Sequence, residues 1–416
     1  MRRRAFVAAG FGAAAAVAVG TSAAAAPARG GVGRTPGRTG ADDVALAWFD
    51  ATVAAVAASG VTVQVTNSRT WAAAWVAAAR AARRSGRPGF QEAAVAAAVH
   101  GVLRPQASDA AGRDLDAALA RTLEAQGGSK GATAGARAGA DEARRILAER
   151  AADHLTPAEV NAPFPVPPAA PGVWRPTPPG FEAAVQYGQR NGVPFLLDRN
   201  DRFRPGPAPA LDSARYRRHV DEVRAYGSAT GSLRTPHQTE VARFWEQSSL
   251  AGWTGALRAA VAGQAHRPLA ARAALIGAFH AVSVDAQIAV YEAKYTYTRW
   301  RPVTAIREGA IDPDPTWTTL TVTPRHPEYP SGHAGFAGAA ERVLTAFTGR
   351  GPTAPVTLTS PSGVRLTYDR WQQLTQDNVD ARVWEGVHFR YSDETGVEVG
   401  RSVADWGLRR VGDLLR

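Results

Sequence analysis

The chain has 416 residues, with 48 Lys plus Arg against 37 Asp plus Glu and a formal net charge of +11. That length can bury a sizeable core and allows two or three domains, while the complete lack of cysteine excludes disulfides, thiol catalysis and cysteine-ligated zinc. The basic balance raises nucleic acid as a partner. The arginines, however, are scattered among Asp and Glu along helical patterns, with no basic stripe interleaved with aromatics, so a solvated surface and no nucleic-acid partner is the preferred reading.

The N-terminus reads as an export signal over residues 1–26. Arg2 to Arg4 form a charged start, Phe6 to Val19 a weak Ala/Gly-rich apolar core, and Ser22 to Ala26 supply small residues for cleavage. Arg3-Arg4-Ala-Phe-Val resembles a twin-arginine signal, and Arg29 suits that route. The expected address is extracellular. A retained anchor is the alternative, but the apolar core is short of the ~20 residues a span needs. No later segment is expected to approach a span, so no stable membrane insertion is predicted. Residues 27–40, rich in Gly, Arg, Pro and Thr, read as a flexible tail.

Residues 41–160 carry Ala-rich helical periodicity. Val44, Leu46, Ala47 and Phe49 open one helix, and Trp71, Trp75 and Ala78 share a face of another. Ala117, Leu119 and Leu123, then Ile146 and Leu147, mark two more, with Gly127-Gly128 breaking between them. Residues 161–180 (NAPFPVPPAAPGVWRPTPPG) are too proline-rich for a regular helix. They read as an ordered crossover strap, with a disordered linker as the alternative. Trp174 and Phe164 favour packing. The irregular character is expected to run on to about residue 230.

Residues 231–416 return to helical pattern. Thr235 is a candidate N-cap with Pro236 at the first helical position. A long helix is expected from about Pro268 to Tyr295. Val356 to Leu358 and Val364 to Tyr368 suit one small hairpin. The predicted fold is all-α: two helical halves forming one compact domain, with at most that hairpin.

Three short segments in this second half carry candidate chemistry. KYTYTRWRP places Lys294 near the end of the long helix, and Pro302 pushes Arg301 out of helical conformation onto the loop beyond. PSGH places Ser331 as an N-cap, Gly332 where backbone can approach closely, and His333 at a helix start whose free N–H groups attract an anion. RVWEGVH places Arg382 and His388 six apart around Gly386, with Trp384, Phe389 and Tyr391 as apolar walls. Each alone has a bland reading: a helix-end cation pair, an ordinary capped helix, a core histidine. Jointly they supply three fixed cations, two histidines and a Ser-Gly turn, the donor set a tetrahedral oxyanion requires.

The combination resembles the vanadium haloperoxidase and type-2 acid phosphatase superfamily, whose pattern is Lys-x6-Arg-Pro, then Pro-Ser-Gly-His, then Ser-Arg-x5-His-x3-Asp. TRWRPVTAIR and HPEYPSGHAGFAGAA look especially like soluble bacterial haloperoxidase-type proteins, and 27 residues separate Pro302 from Pro330. The resemblance runs from about Arg234 to Arg410. It implies a vanadate cofactor whose oxygens are held by Lys294, Arg301, Ser331, Gly332 and Arg382, with His388 bonding the metal and His333 as general acid/base. Lys294, His333 and His388 would then be the catalytic group. The implied partners are hydrogen peroxide, a halide and a small organic acceptor. His326 resembles the position where bromide-oxidising members carry His and chloride-oxidising ones Phe, placing bromide ahead of chloride; a plain loop residue is the alternative.

The same residues holding phosphate would make an acid phosphatase, with His388 as nucleophile and His333 as proton donor. A non-catalytic oxyanion binder is a third reading, disfavoured because binding alone needs neither histidine. The lack of sulfur beyond Met1 suits a protein that makes peroxide-derived oxidants, with codon bias as the bland alternative. Lysine is so scarce that Lys294 is one of two, the other being Lys130. Two positions depart from the pattern. Ala381 stands in place of the Ser before Arg382, and Ser392 in place of the Asp that normally orients the distal histidine. Either Asp393, one further on, takes over that role from a shifted position, or another acceptor does; Asp393 could equally cap a helix before Glu394.

Overall fold

The computed structural model describes residues 43–416. The expected export signal and flexible tail lie outside the described residues. Helices make up the body: α1 (Val44–Ala58), α2 (Gln64–Ala82), α3 (Phe90–Leu103), α4 (Asp109–Glu124), α5 (Lys130–Glu149) and a single turn, α6 (Pro157–Val160). Then follow α7 (Ala214–Gly227), α8 (Pro236–Trp245), α9 (Ser249–Gly263), α10 (Leu269–Tyr297), α11 (Pro302–Glu308) and α12 (Gly332–Thr348). The antiparallel hairpin β1 (Val356–Thr359) and β2 (Arg365–Tyr368) pairs Val356 with Tyr368 and Thr359 with Arg365. The chain closes with α13 (Trp371–Trp384), α14 (Arg390–Leu408) and α15 (Val411–Leu414). The all-α reading, the hairpin and the long helix agree with the sequence.

The boundaries follow local chemistry. Asp43 caps α1 by accepting from the N–H groups of Ala45 and Leu46. Thr235 and Gln238 cap α8 reciprocally, with Pro236 at its start. Gly127 and Gly128, both at positive φ, end α4 before Ser129 caps α5. The centre of the molecule is α10 laid against α2. Alanine at positions 72–74, 77–79 and 81–82 of α2 is fully or almost fully buried, which lets the two helix backbones approach closely. One hydrophobic core runs from Trp48, Phe49 and Trp75 on the first half through Phe279 and Val290 to Phe336 and Trp371 on the second. The two halves therefore share a core.

Two expectations need correction. Among the described residues α10 is long and apolar enough to cross a membrane, contrary to the sequence expectation; it is buried over nearly its whole length and serves as the core helix. The crossover is also less irregular than expected, because α7 lies inside residues 161–230. Its buried positions Tyr216, Val220, Val223 and Gly227 follow three- and four-residue spacing, between arginines that mask the pattern. The proline-rich part is ordered and packs as a strap. Trp174 is fully buried and its backbone N–H donates to the Thr298 carbonyl at 2.7 Å, while the Trp300 backbone N–H donates to the Gly172 carbonyl at 2.9 Å. Phe164 packs on Trp174, Tyr187 and Tyr295. The strap thus clamps the backbone on either side of Arg299, immediately before Arg301.

Candidate oxyanion site

The three motifs meet at one buried point. Lys294 lies in the last turn of α10 and is completely buried; its Nζ donates to the Glu328 carbonyl at 2.8 Å. Arg301, also completely buried, is the extended residue just before α11, as Pro302 requires. Its Nε donates to the His326 carbonyl and its Nη1 to the Val387 carbonyl, each at 2.8 Å. Nη1 also faces His388 Nε2 at 3.2 Å. Arg382 comes from the last turn of α13. Its Nη1 donates to the Trp245 carbonyl at 3.2 Å and to Glu385 at 2.8 Å, while its buried Nε has no partner among the described residues.

Ser331 caps α12, its Oγ accepting from the Ala334 N–H at 3.4 Å. The first-turn N–H groups of Gly332 and His333 are left unbonded by the helix itself. Gly386 sits at φ +81, and a Cβ there would come within 2.5 Å of the Gly227 carbonyl oxygen. This close crossing of the α7 end lets the chain turn after α13 and bring Val387 and His388 back toward Arg301. All seven sequence-predicted residues therefore lie in or beside one cluster.

Hydrogen-bond partners fix the histidine tautomers. Arginine can only donate, so the His388 Nε2 facing Arg301 is unprotonated. Its proton sits on Nδ1 and is donated to Glu328 Oε1 at 2.8 Å. His333 Nε2 faces the Gln247 carbonyl at 3.1 Å. A carbonyl only accepts, so Nε2 carries the proton and Nδ1 keeps its lone pair. Burial holds His388 and His333 well below the usual imidazole range; Arg301 next depresses His388, and Arg382 His333. Both rings are neutral bases at pH 7.

Burial also depresses Lys294 well below the ordinary ammonium range, with Arg301 adding to it. The Arg301 guanidinium is pulled down to about 10, chiefly by burial and further by Arg382. Cations that destabilise one another in a desolvated site are relieved by a bound anion.

Glu328 is the functional residue that sequence reasoning missed. It is fully buried, and its Oε1 accepts from both His388 Nδ1 and the Phe389 N–H. Burial pushes its carboxyl up to about 7, against the pull of Lys294 and Arg301. Of the readings left open for the acceptor that orients His388, the structure follows the one in which another acceptor replaces Asp393, and Asp393 is not the helix cap either. Asp393 lies within the first turn of α14, whose N-cap is Phe389; its buried carboxyl is set against the Ser331 hydroxyl, while the His388 Nδ1 proton goes to Glu328. The Ser392 hydroxyl instead donates to the Glu328 carbonyl at 3.3 Å, steadying the segment that orients His388. The signal was in the sequence as the acid of HPEYPSGH, but nothing local says which histidine it meets 60 residues later. Glu385 of RVWEGVH was missed likewise; it is buried against Arg382 at 2.6 Å. The apolar walls are present in part: Phe389 and Tyr391 stack behind the site, in a cluster with Trp300 and Trp317.

Residues 275–416 match a family model described as the VCPO second helical-bundle domain. This part of the chain is similar to that domain. The haloperoxidase fold extends over most of the chain. A bacterial vanadium-dependent iodoperoxidase superposes with a TM-score of 0.72 at 22% identity, covering 87% of this chain and 95% of that one. The apo form of a bacterial vanadium-dependent chloroperoxidase superposes with a TM-score of 0.65 at 17% identity, covering 85% and 95%. A holo form gives 0.60 at 17% identity, covering 88% and 93%. At these identities the likeness is one of fold. No curated protein matches the chain in sequence.

Proposed function

We propose that this chain is a secreted vanadate-dependent haloperoxidase that uses hydrogen peroxide to oxidise a halide, bromide ahead of chloride, to hypohalous acid. A small organic acceptor then takes the halogen. One observation carries the reading: three buried cations gather around a neutral His388 whose Nε2 lone pair is turned toward them by Glu328. Only Arg382 of the three has an ion-pair partner among the described residues. The fold shared with bacterial vanadium-dependent iodo- and chloroperoxidases supports the choice of chemistry.

The donor set fits a tetrahedral oxyanion. Arg382 Nε is unpartnered, Lys294 Nζ has hydrogens beyond the one given to Glu328, and the α12 start presents N–H groups. Lys294, Arg301, Ser331, Gly332 and Arg382 would hold the oxygens, and His388 Nε2 would ligate the metal. Bound vanadate supplies a Lewis acid that activates peroxide without changing oxidation state. The protein's share is positional and protonic. Glu328 keeps the His388 proton on Nδ1, so Nε2 stays basic. His333 Nδ1 takes a proton from incoming peroxide and returns it when the product leaves.

The test is direct. Mature protein loaded with vanadate should brominate a phenolic or diketone acceptor with peroxide and bromide, and phosphate should suppress the activity by competing for the same donors. His333→Ala should retain vanadate and lose at least ~100-fold in turnover. Efficient phosphomonoester hydrolysis, with no vanadate-dependent oxidation of iodide, bromide or chloride, would replace this reading with a phosphatase using His388 as nucleophile.

A further inference from the structure

Tyr291 takes no part in any motif above, yet it stands beside all of them. It lies three residues before Lys294 on α10 and so on the same helix face, and the ammonium is 5.7 Å from its ring centroid. Against the α12 start the fit is tight. A Cβ added at Gly332 would lie 3.3 Å from Tyr291 Cε2 and 3.7 Å from its hydroxyl oxygen. The hydroxyl therefore reaches the backbone that begins the anion-binding helix.

The direction of its proton follows from His326. Arg301 Nη2 lies 3.0 Å from His326 Nδ1. Nδ1 also lies 3.2 Å from the Pro327 carbonyl, but a proton there would be driven against the shorter contact with the charged guanidinium, and arginine cannot accept, so Nδ1 is unprotonated and the imidazole proton is on Nε2. A second imidazole proton is opposed by burial and by Arg301 and Lys294, which hold this ring well below the usual range. Nε2 faces the Tyr291 hydroxyl at 3.2 Å, so the tyrosine oxygen is the acceptor in that bond. Its own hydrogen is turned away from His326, and no group among the described residues accepts it. Tyr291 is only 7% exposed, so bulk water does not readily satisfy it. Arg301 and Arg382 both act on the hydroxyl, pulling against the burial that raises its pKa, as expected of a group facing the same space.

We propose that Tyr291 is a member of the oxyanion cage, its O–H donating to an oxygen of the bound tetrahedral anion while His326 and Arg301 hold it in that orientation. The proposal rests on the cage reading above and deepens it. It also gives His326 a role, since both ring nitrogens are engaged in fixing a donor.

The test measures binding and needs no turnover. Phosphate affinity is read by calorimetry and vanadate affinity by 51V NMR, in wild type and in Tyr291→Phe, which removes one oxygen and keeps the ring. The expected result is a fall of about tenfold for both anions, in the range for a hydrogen bond to a charged group, with the circular dichroism spectrum unchanged. A wild type that binds both anions, with Tyr291→Phe within twofold, overturns the proposal and leaves the cage standing. A wild type that binds neither overturns both. A measurement on the wild type alone guards against a variant that does not fold. With 13Cζ-labelled tyrosine, phosphate should shift one buried tyrosine resonance, and an unshifted spectrum in a protein that binds phosphate overturns the proposal.

Discussion

Two buried charge clusters in this molecule are built to opposite plans. Near the end of α5, Asp153 lies between Arg69 at 2.5 Å and Arg150 at 3.0 Å, and Arg150 also donates to the Pro194 carbonyl. Each cation there has both a carboxylate and a carbonyl. In the oxyanion site, Lys294 and Arg301 have carbonyls and imidazoles as partners but no carboxylate in ion-pair contact. The first cluster is complete as folded. In the second, two of the three cations have no carboxylate in contact, the arrangement expected of an anion-binding site and not of a structural ion pair.

Arg382→Ala should break the second cluster most severely. It removes a desolvated donor and strands Glu385 at the edge of the site, so phosphate and vanadate affinity should fall by ~100-fold or more. Titration calorimetry measures this, and a loss under about threefold would show that Arg382 does not touch the anion. Asp153→Ala should do the reverse. Stranding Arg69 and Arg150 should lower stability by about 3 kcal/mol in urea unfolding while leaving anion affinity unchanged; a change in affinity would dissolve the contrast.

A third buried group sharpens the comparison. His280 is fully buried, stacks on Trp71 at 4.7 Å, and has no hydrogen-bond partner on either nitrogen among the described residues. It behaves as an apolar ring. Burial pulls its pKa down to about 3, so between that value and the unfolded ~6.5 the unfolded chain binds a proton that the folded chain does not. Stability should therefore fall as pH drops below ~6.5. Relative to His280→Phe, wild type should lose roughly 1 kcal/mol per pH unit in that window. Parallel stability curves for the two proteins would mean that His280 finds a proton acceptor.

The sequence made the scaffold legible where signals are local. Thr235-Pro236, Gly127-Gly128 and the apolar run ending near Tyr295 each act within a few residues, and the structure follows them. The three site motifs were legible because Pro302, Ser331 and Gly386 each impose a local backbone geometry that aims its neighbours. The partners of those motifs were not. Glu328 meets His388 across 60 residues and Tyr291 meets His326 across 35, pairings set by the tertiary crossing of α10, α12 and α14. The displaced acid shows the limit best. Asp393 is adjacent in sequence to the expected position, yet one residue along a helix turns a side chain by about 100°, and the task of orienting His388 falls to a carboxylate from another loop. Helix α7 was missed because its apolar positions are interleaved with arginines, and its buried face is evident only once Trp300 and Phe389 are seen against it.

The strap at Gly172 to Trp174 has a consequence for the order in which the molecule assembles. Helices such as α2 and α5 are closed by bonds between residues three and four apart and can appear early. The bridge between Val173 and Arg299 must instead gather a long stretch of chain before it forms, and the entropy of closing that loop is not offset until Trp174 is buried. Because that bridge sets the backbone two residues before Arg301, the cage is expected to form late in folding. A chain can be largely helical while still unable to hold an anion.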